Sequence, residues 1–174
     1  ISNGLENLVI SYHETEADAE NNVNEIIGEY NNIVAYEQTV FIRVEDSASD
    51  NDCSSHLTLT LIVNDVPQIN TEPSSLFLCD ENTDGFGIFD LSTSNEELLN
   101  GLDPNDFTIT YYEAQDDALN ALNAIITPYN YTNTTAFNQF VWVRIENNTT
   151  ACYNVGSIEL IINELPVLTQ PTPL

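Results

Sequence analysis

The chain has 174 residues, room for one or two domains, and 42% of them are hydrophobic, enough to bury a core. Its 28 Asp and Glu against two Arg and no Lys give a net charge of −26. Such a surface repels nucleic-acid phosphates and anionic lipid headgroups, which excludes both as expected partners. No stretch approaches the run of about 20 apolar residues that a membrane helix needs, so membrane insertion is not expected.

In chain order, alternating apolar residues predict a strand over 8–12, followed by a helix. Thr15 caps that helix with Asp18 three residues on, and Ala19, Val23, Ile26 and Ile27 fall on one face. Gly28 is its expected end. Strands are predicted over 39–44 and 57–63. A Pro-bearing linker over 64–75 and an Asp-rich loop come next. A short helix over 94–99 follows, with a Ser94/Glu97 capping box and Gly101 behind it. The pattern then repeats: a strand over 107–112, a helix with Ala118, Leu122, Ile125 and Ile126 on one face ending at Pro128, strands over 139–145 and 157–162, and a second Pro-bearing linker over 163–174.

The repetition is explicit at the residue level. Ile10-Ser-Tyr-His-Glu-Thr-Glu-Ala-Asp-Ala19 matches Ile109-Thr-Tyr-Tyr-Glu-Ala-Gln-Asp-Asp-Ala118, an offset of 99. Tyr30-Asn31 matches Tyr129-Asn130 at the same offset, while Phe41-Ile-Arg-Val-Glu45 matches Trp142-Val-Arg-Ile-Glu146 at 101. The offset returns to 99 for Cys53 with Cys152 and Pro67 with Pro166, which places a small insertion near residues 31–40. A period of about a hundred residues fits a string of sandwich domains. The expected architecture is mainly β: tandem Ig-like β-sandwich modules, each with a short inserted α-helix. Residues 1–66 form a first module whose head is missing, 67–166 a complete module, and 167–174 a linker to a following module. Of the three cysteines, Cys79 finds an intramodule partner in Cys152, and Cys53 is left unpaired by truncation. The alternative is three reduced thiols.

The set Leu78-Cys-Asp-Glu-Asn-Thr-Asp-Gly-Phe-Gly-Ile-Phe-Asp-Leu91, Pro128-Tyr-Asn130, Val143-Arg-Ile-Glu146, Cys152 and Asn163-Glu-Leu-Pro166 resembles the tandem repeats of large surface adhesins of gliding Bacteroidetes. The resemblance implies export by the type IX secretion system, a cell-surface location and a role in adhesion or gliding.

The run Asp80-x-Asn82-x-Asp84-Gly85-Phe86, followed by Asp90, spaces oxygen donors as a hard cation requires, with calcium as the candidate ligand. An Asp-Gly turn held by side-chain-to-backbone hydrogen bonds is the equal alternative. Arg43 and Arg144, at equivalent strand positions beside Glu45 and Glu146, are expected to be structural. His13 and His56 have no counterparts, and no nucleophile–base pattern or phosphate loop is present, so no enzyme is expected. The expected role is a stalk or spacer of a surface fibre, whose partners are neighbouring modules, surface glycans or further copies. A carbohydrate-binding module and a self-assembling filament subunit are the alternatives.

Overall fold

The computed structural model of the chain describes residues 7–47 and 53–166. The expected linker over 167–174 lies outside them. The chain is mainly β and divides into two compact units, Ile1–Asn64 and Asp65–Leu174.

The first unit is a three-stranded antiparallel sheet of order β1-β2-β3. Its strands are β1 (Leu8–His13), β2 (Glu37–Asp46) and β3 (Ser54–Ile62), and α1 (Glu16–Asn21) connects the first two. The second unit repeats this with β6 (Phe107–Tyr112), α3 (Gln115–Asn120), β8 (Asn138–Asn147) and β9 (Tyr153–Glu164). It adds β4 (Leu76–Asp80), which pairs in parallel with β9 and gives a sheet of order β4-β9-β8-β6. A two-stranded ribbon of β5 (Ile88–Phe89) and β7 (Tyr131–Thr132), a 3₁₀ turn (Leu91–Ser94) and α2 (Asn95–Leu99) complete it.

Strand periodicity decides the core of the second unit, because alternate residues of a strand share a face. Val141, Val143 and Ile145 of β8 and Ile158, Leu160 and Ile162 of β9 all point to one face and are buried. Phe89, Leu91, Leu98 and Leu99 close over them. The layer facing the large sheet is therefore a short ribbon with helical turns, where a full second sheet was expected.

Among the described residues of the first unit nothing corresponds to residues 76–99, and β3 and the residue after it are exposed there. Leu59 is 42% exposed where its counterpart Ile158 is at 0%, and Val63 is 49% exposed against 5% for Ile162. Tyr12, Ile26, Tyr30, Val40, Leu59 and Leu61 line an open groove. The counterparts of these six (Tyr111, Ile125, Tyr131, Val141, Ile158 and Leu160) belong to, or pack on, the core of the second unit.

Both inserted helices are shorter than the apolar spacing predicts. Each stops after six residues, at Asn22 and Ala121, which adopt the left-handed conformation with φ of 52° and 53°. Only Ala19 and Ala118 of the expected apolar faces are buried, while Ile27 and Ile126 stand 84% and 91% exposed. Asn24 and Asn123 explain the stop, since each donates to a carboxylate in the first turn, Asp18 or Asp117, and folds the chain back. The Thr15 cap forms as predicted, accepting from the Asp18 N–H at 3.1 Å. The Ser94/Glu97 box does not form. Asp90 instead caps the preceding 3₁₀ turn, and Glu97 accepts from the backbone and hydroxyl of Ser74.

The segment expected to be a linker before β4 is part of the module. Asn154 Nδ2 donates to the carbonyl of the buried Pro67 at 3.2 Å, and Ser157 N donates to that of Thr71 at 2.9 Å. Gly156 permits this approach, because a Cβ there would lie 2.8 Å from the Thr71 oxygen.

Candidate functional site

Three arrangements carry the polar chemistry: a paired arginine clasp, the Asp80 loop, and the thiols. In both units the arginine of the central strand reaches the end of the inserted helix. Arg43 Nη1 donates to the carbonyls of Ala19 and Glu20, both at 3.1 Å. Arg144 Nη1 donates to those of Ala118 and Leu119, at 3.3 and 3.1 Å. Helix ends leave carbonyls without intrahelical donors and carry partial negative charge, so a buried guanidinium satisfies both needs. Arg43 also pairs with Glu45, and Arg144 with Glu146 at 2.7 Å. The Tyr153 ring lies 3.3 Å from the Arg144 guanidinium carbon.

A second repeated device escaped the sequence reading. Gln38 accepts the N–H groups of Ile33 and Val34 and donates to Tyr30, which donates to Glu14. Gln139 accepts from Thr134 and Thr135 and donates to Tyr131, which donates to Glu113. Tyr30 is thus the counterpart of Tyr131, at an offset of 101, and not of Tyr129. The two-residue insertion lies ahead of Tyr131, earlier than the 31–40 window expected for it. The Tyr-x₇-Gln spacing common to both repeats was the available signal.

The proposed cation-binding run folds around Asp80. Its side chain is only 2% exposed. One carboxylate oxygen accepts from Asn82 N at 3.2 Å and Thr83 N at 2.7 Å, and the other from Gly85 N at 2.9 Å. Burial works to raise the Asp80 pKa, but the N–H groups of Gly85, Thr83, Asn82 and Asp84 outweigh it and hold the carboxyl below its ordinary value. Asp84 accepts from Asn82 Nδ2 and from the N–H of Phe86. Asp90 accepts from the backbone and hydroxyl of Ser92. Of the five residues read as cation ligands, Asp80, Asp84 and Asp90 turn carboxylate oxygens to protein donors, in the manner of Asx-anchored turns. Among the described residues, no three His, Cys, Asp or Glu side chains converge as a metal cage. Gly85, at φ +75°, lets the loop close on Ala136 and Phe137, and Asn133 ties it down through the Gly85 carbonyl and the Gly87 N–H.

The thiols contradict the expected intramodule disulfide. Cys79 is a free, exposed thiol on β4, in register with Asn163 near the end of β9. Cys152 immediately precedes the first residue of β9. Eleven residues of strand separate the two levels, roughly 35 Å at 3.3 Å per residue. A disulfide bridges Cα atoms no more than about 7 Å apart. The sequence placed both cysteines in one module but held no information on which end each occupies.

Sheets with repeated clasps, and thiols at the two ends of one module, define a β-rich structural repeat. The chain matches the family model of the Flavobacterium inter-domain disulphide bond domain over residues 1–67 and 75–166, and it belongs to that family. No curated protein matches the sequence.

Proposed function

We propose that the chain is a structural repeat of an extracellular, surface-exposed protein, in which disulfides tie consecutive modules together. The observation that carries this reading is the placement of Cys79 and Cys152 at opposite ends of β9, too far apart to join each other. The description of the family, which names an inter-domain disulphide, points the same way. Disulfides persist in oxidising compartments, which supports an extracellular location. The duplicated arginine and glutamine clasps brace the connection of each sheet to its helix and loops, as a load-bearing spacer of a surface fibre or adhesin requires. A net charge of −26 keeps an array of such modules apart and soluble.

Alkylation of the parent protein on intact cells, before and after reduction, tests this reading. The three cysteines are expected to label only after reduction. Full labelling without reductant would refute the disulfide-tied array.

A further inference from the structure

The two ends of the module bear on which thiol meets which, an inference that rests on the reading of the cysteines as inter-module links. Residues 67–80 run alongside β9 over almost its whole length. Pro67 is held by Asn154, Thr71 by Ser157, and β4 then pairs from Leu76 with Leu160 to Asp80 with Glu164. The chain therefore comes into the module beside the start of β9, and β9 carries it out at the opposite end. Cys152 belongs to the incoming end, where it lines one groove with Val66, Tyr153 and Asn154. Cys79 belongs to the outgoing end, across from Asn163. Chain continuity makes the outgoing end of one module precede the incoming end of the next. Only Val63, Asn64, Asp65 and Val66 separate β3 from Pro67.

We propose that the disulfide joins the Cys79 thiol of one module to the Cys152-type thiol of the module that follows it. Cys53, which precedes β3 as Cys152 precedes β9, is a thiol of the second type. Cys53 and Cys152 each take the Cys79 counterpart of the module before their own. The rule pairs no two of the three cysteines of this chain with each other. The two Sγ atoms form a bond, and their two protons and two electrons pass to an external disulfide that leaves as two thiols.

The test is a chain in which a second copy of residues 67–166 follows Leu165, so that Pro67 of the copy takes the place of Pro166. The copy carries Cys79→Ser, and Tyr153→Phe marks its turn peptide by mass. After equilibration in a glutathione redox buffer, digestion beside acidic residues and mass spectrometry read the links. The expected product joins Cys79 to the marked turn peptide in most molecules. It is lost on Cys79→Ser in the original module and unchanged on Cys152→Ser there. A bond from Cys79 to the unmarked turn peptide or to Cys53 overturns the connectivity and leaves disulfide tethering intact. Thiols that all stay reduced overturn both.

Discussion

Arg43 and Arg144 occupy the same position on the central strand of their respective sheets, and each donates to the last carbonyls of the helix in its own unit. These are the only Lys or Arg side chains among 174 residues, against 28 carboxylates. A chain so acidic that keeps two arginines places them where a cation does work that packing cannot replace. Arg144→Ala leaves the Ala118 and Leu119 carbonyls and the Glu146 carboxylate without their donor. It is expected to lower the stability of the second unit by about 2–3 kcal/mol. Arg144→Lys recovers part of this, since one ammonium cannot reproduce the fork. Urea unfolding followed by the single Trp, Trp142 of β8, reads this unit alone. An unchanged midpoint for Arg144→Ala would remove the clasp from the account.

Asp80 predicts an acid sensitivity with a definite sign. Its folded pKa is depressed, so the stability it lends is complete above the ordinary carboxylate pKa and fades as pH falls through the folded value. The added loss of stability is therefore expected below about pH 4. Asp80→Asn is expected to lower the melting temperature by several degrees at pH 7 and to flatten the pH dependence below 4. Because the Asp80 oxygens already accept backbone donors, calcium and magnesium at equal concentration should shift the wild-type melting temperature by the same amount. A calcium-specific rise that Asp80→Asn abolishes would restore the loop as a cation site.

Ala121 is a point where the second repeat departs from what its backbone favours. The residue sits at φ 53°, in a conformation that its counterpart Asn22 accepts more readily. Ala121→Asn or Ala121→Gly is expected to stabilise the second unit by about 0.5–1 kcal/mol. The reverse change, Asn22→Ala, should cost the first unit a similar amount, seen by chemical denaturation monitored by circular dichroism.

The open groove of the first unit calls for a cover of known composition. In the second unit the same positions lie under Phe89, Leu91, Leu98 and Leu99. Placing a copy of residues 65–99 ahead of Ile1 is expected to raise the denaturant midpoint of the first unit and to suppress binding of a hydrophobic dye. Phe41→Trp, which copies Trp142, supplies the probe. No change in either readout would mean that the groove does not take that segment.

The sequence by itself determined the β-rich class, the hundred-residue repeat and most of the strands. Period-two alternation in residues such as Val141, Val143 and Ile145 is local and survives in any context. The Thr15 cap was legible for the same reason, being a bond between residues three apart. Tertiary structure alone decided the ends of the helices, where Asn24 and Asn123 turn the chain back and leave Ile27 and Ile126 in solvent. It also decided that Asp80 serves backbone amides, because the spacing that suits a cation suits an Asx turn equally well. Above all, it decided the cysteines. A repeat offset assigns Cys79 and Cys152 to one module, but only the parallel run of residues 67–80 beside β9 sets them at its opposite ends, since spacing along a chain carries no direction in space until a neighbouring strand fixes it.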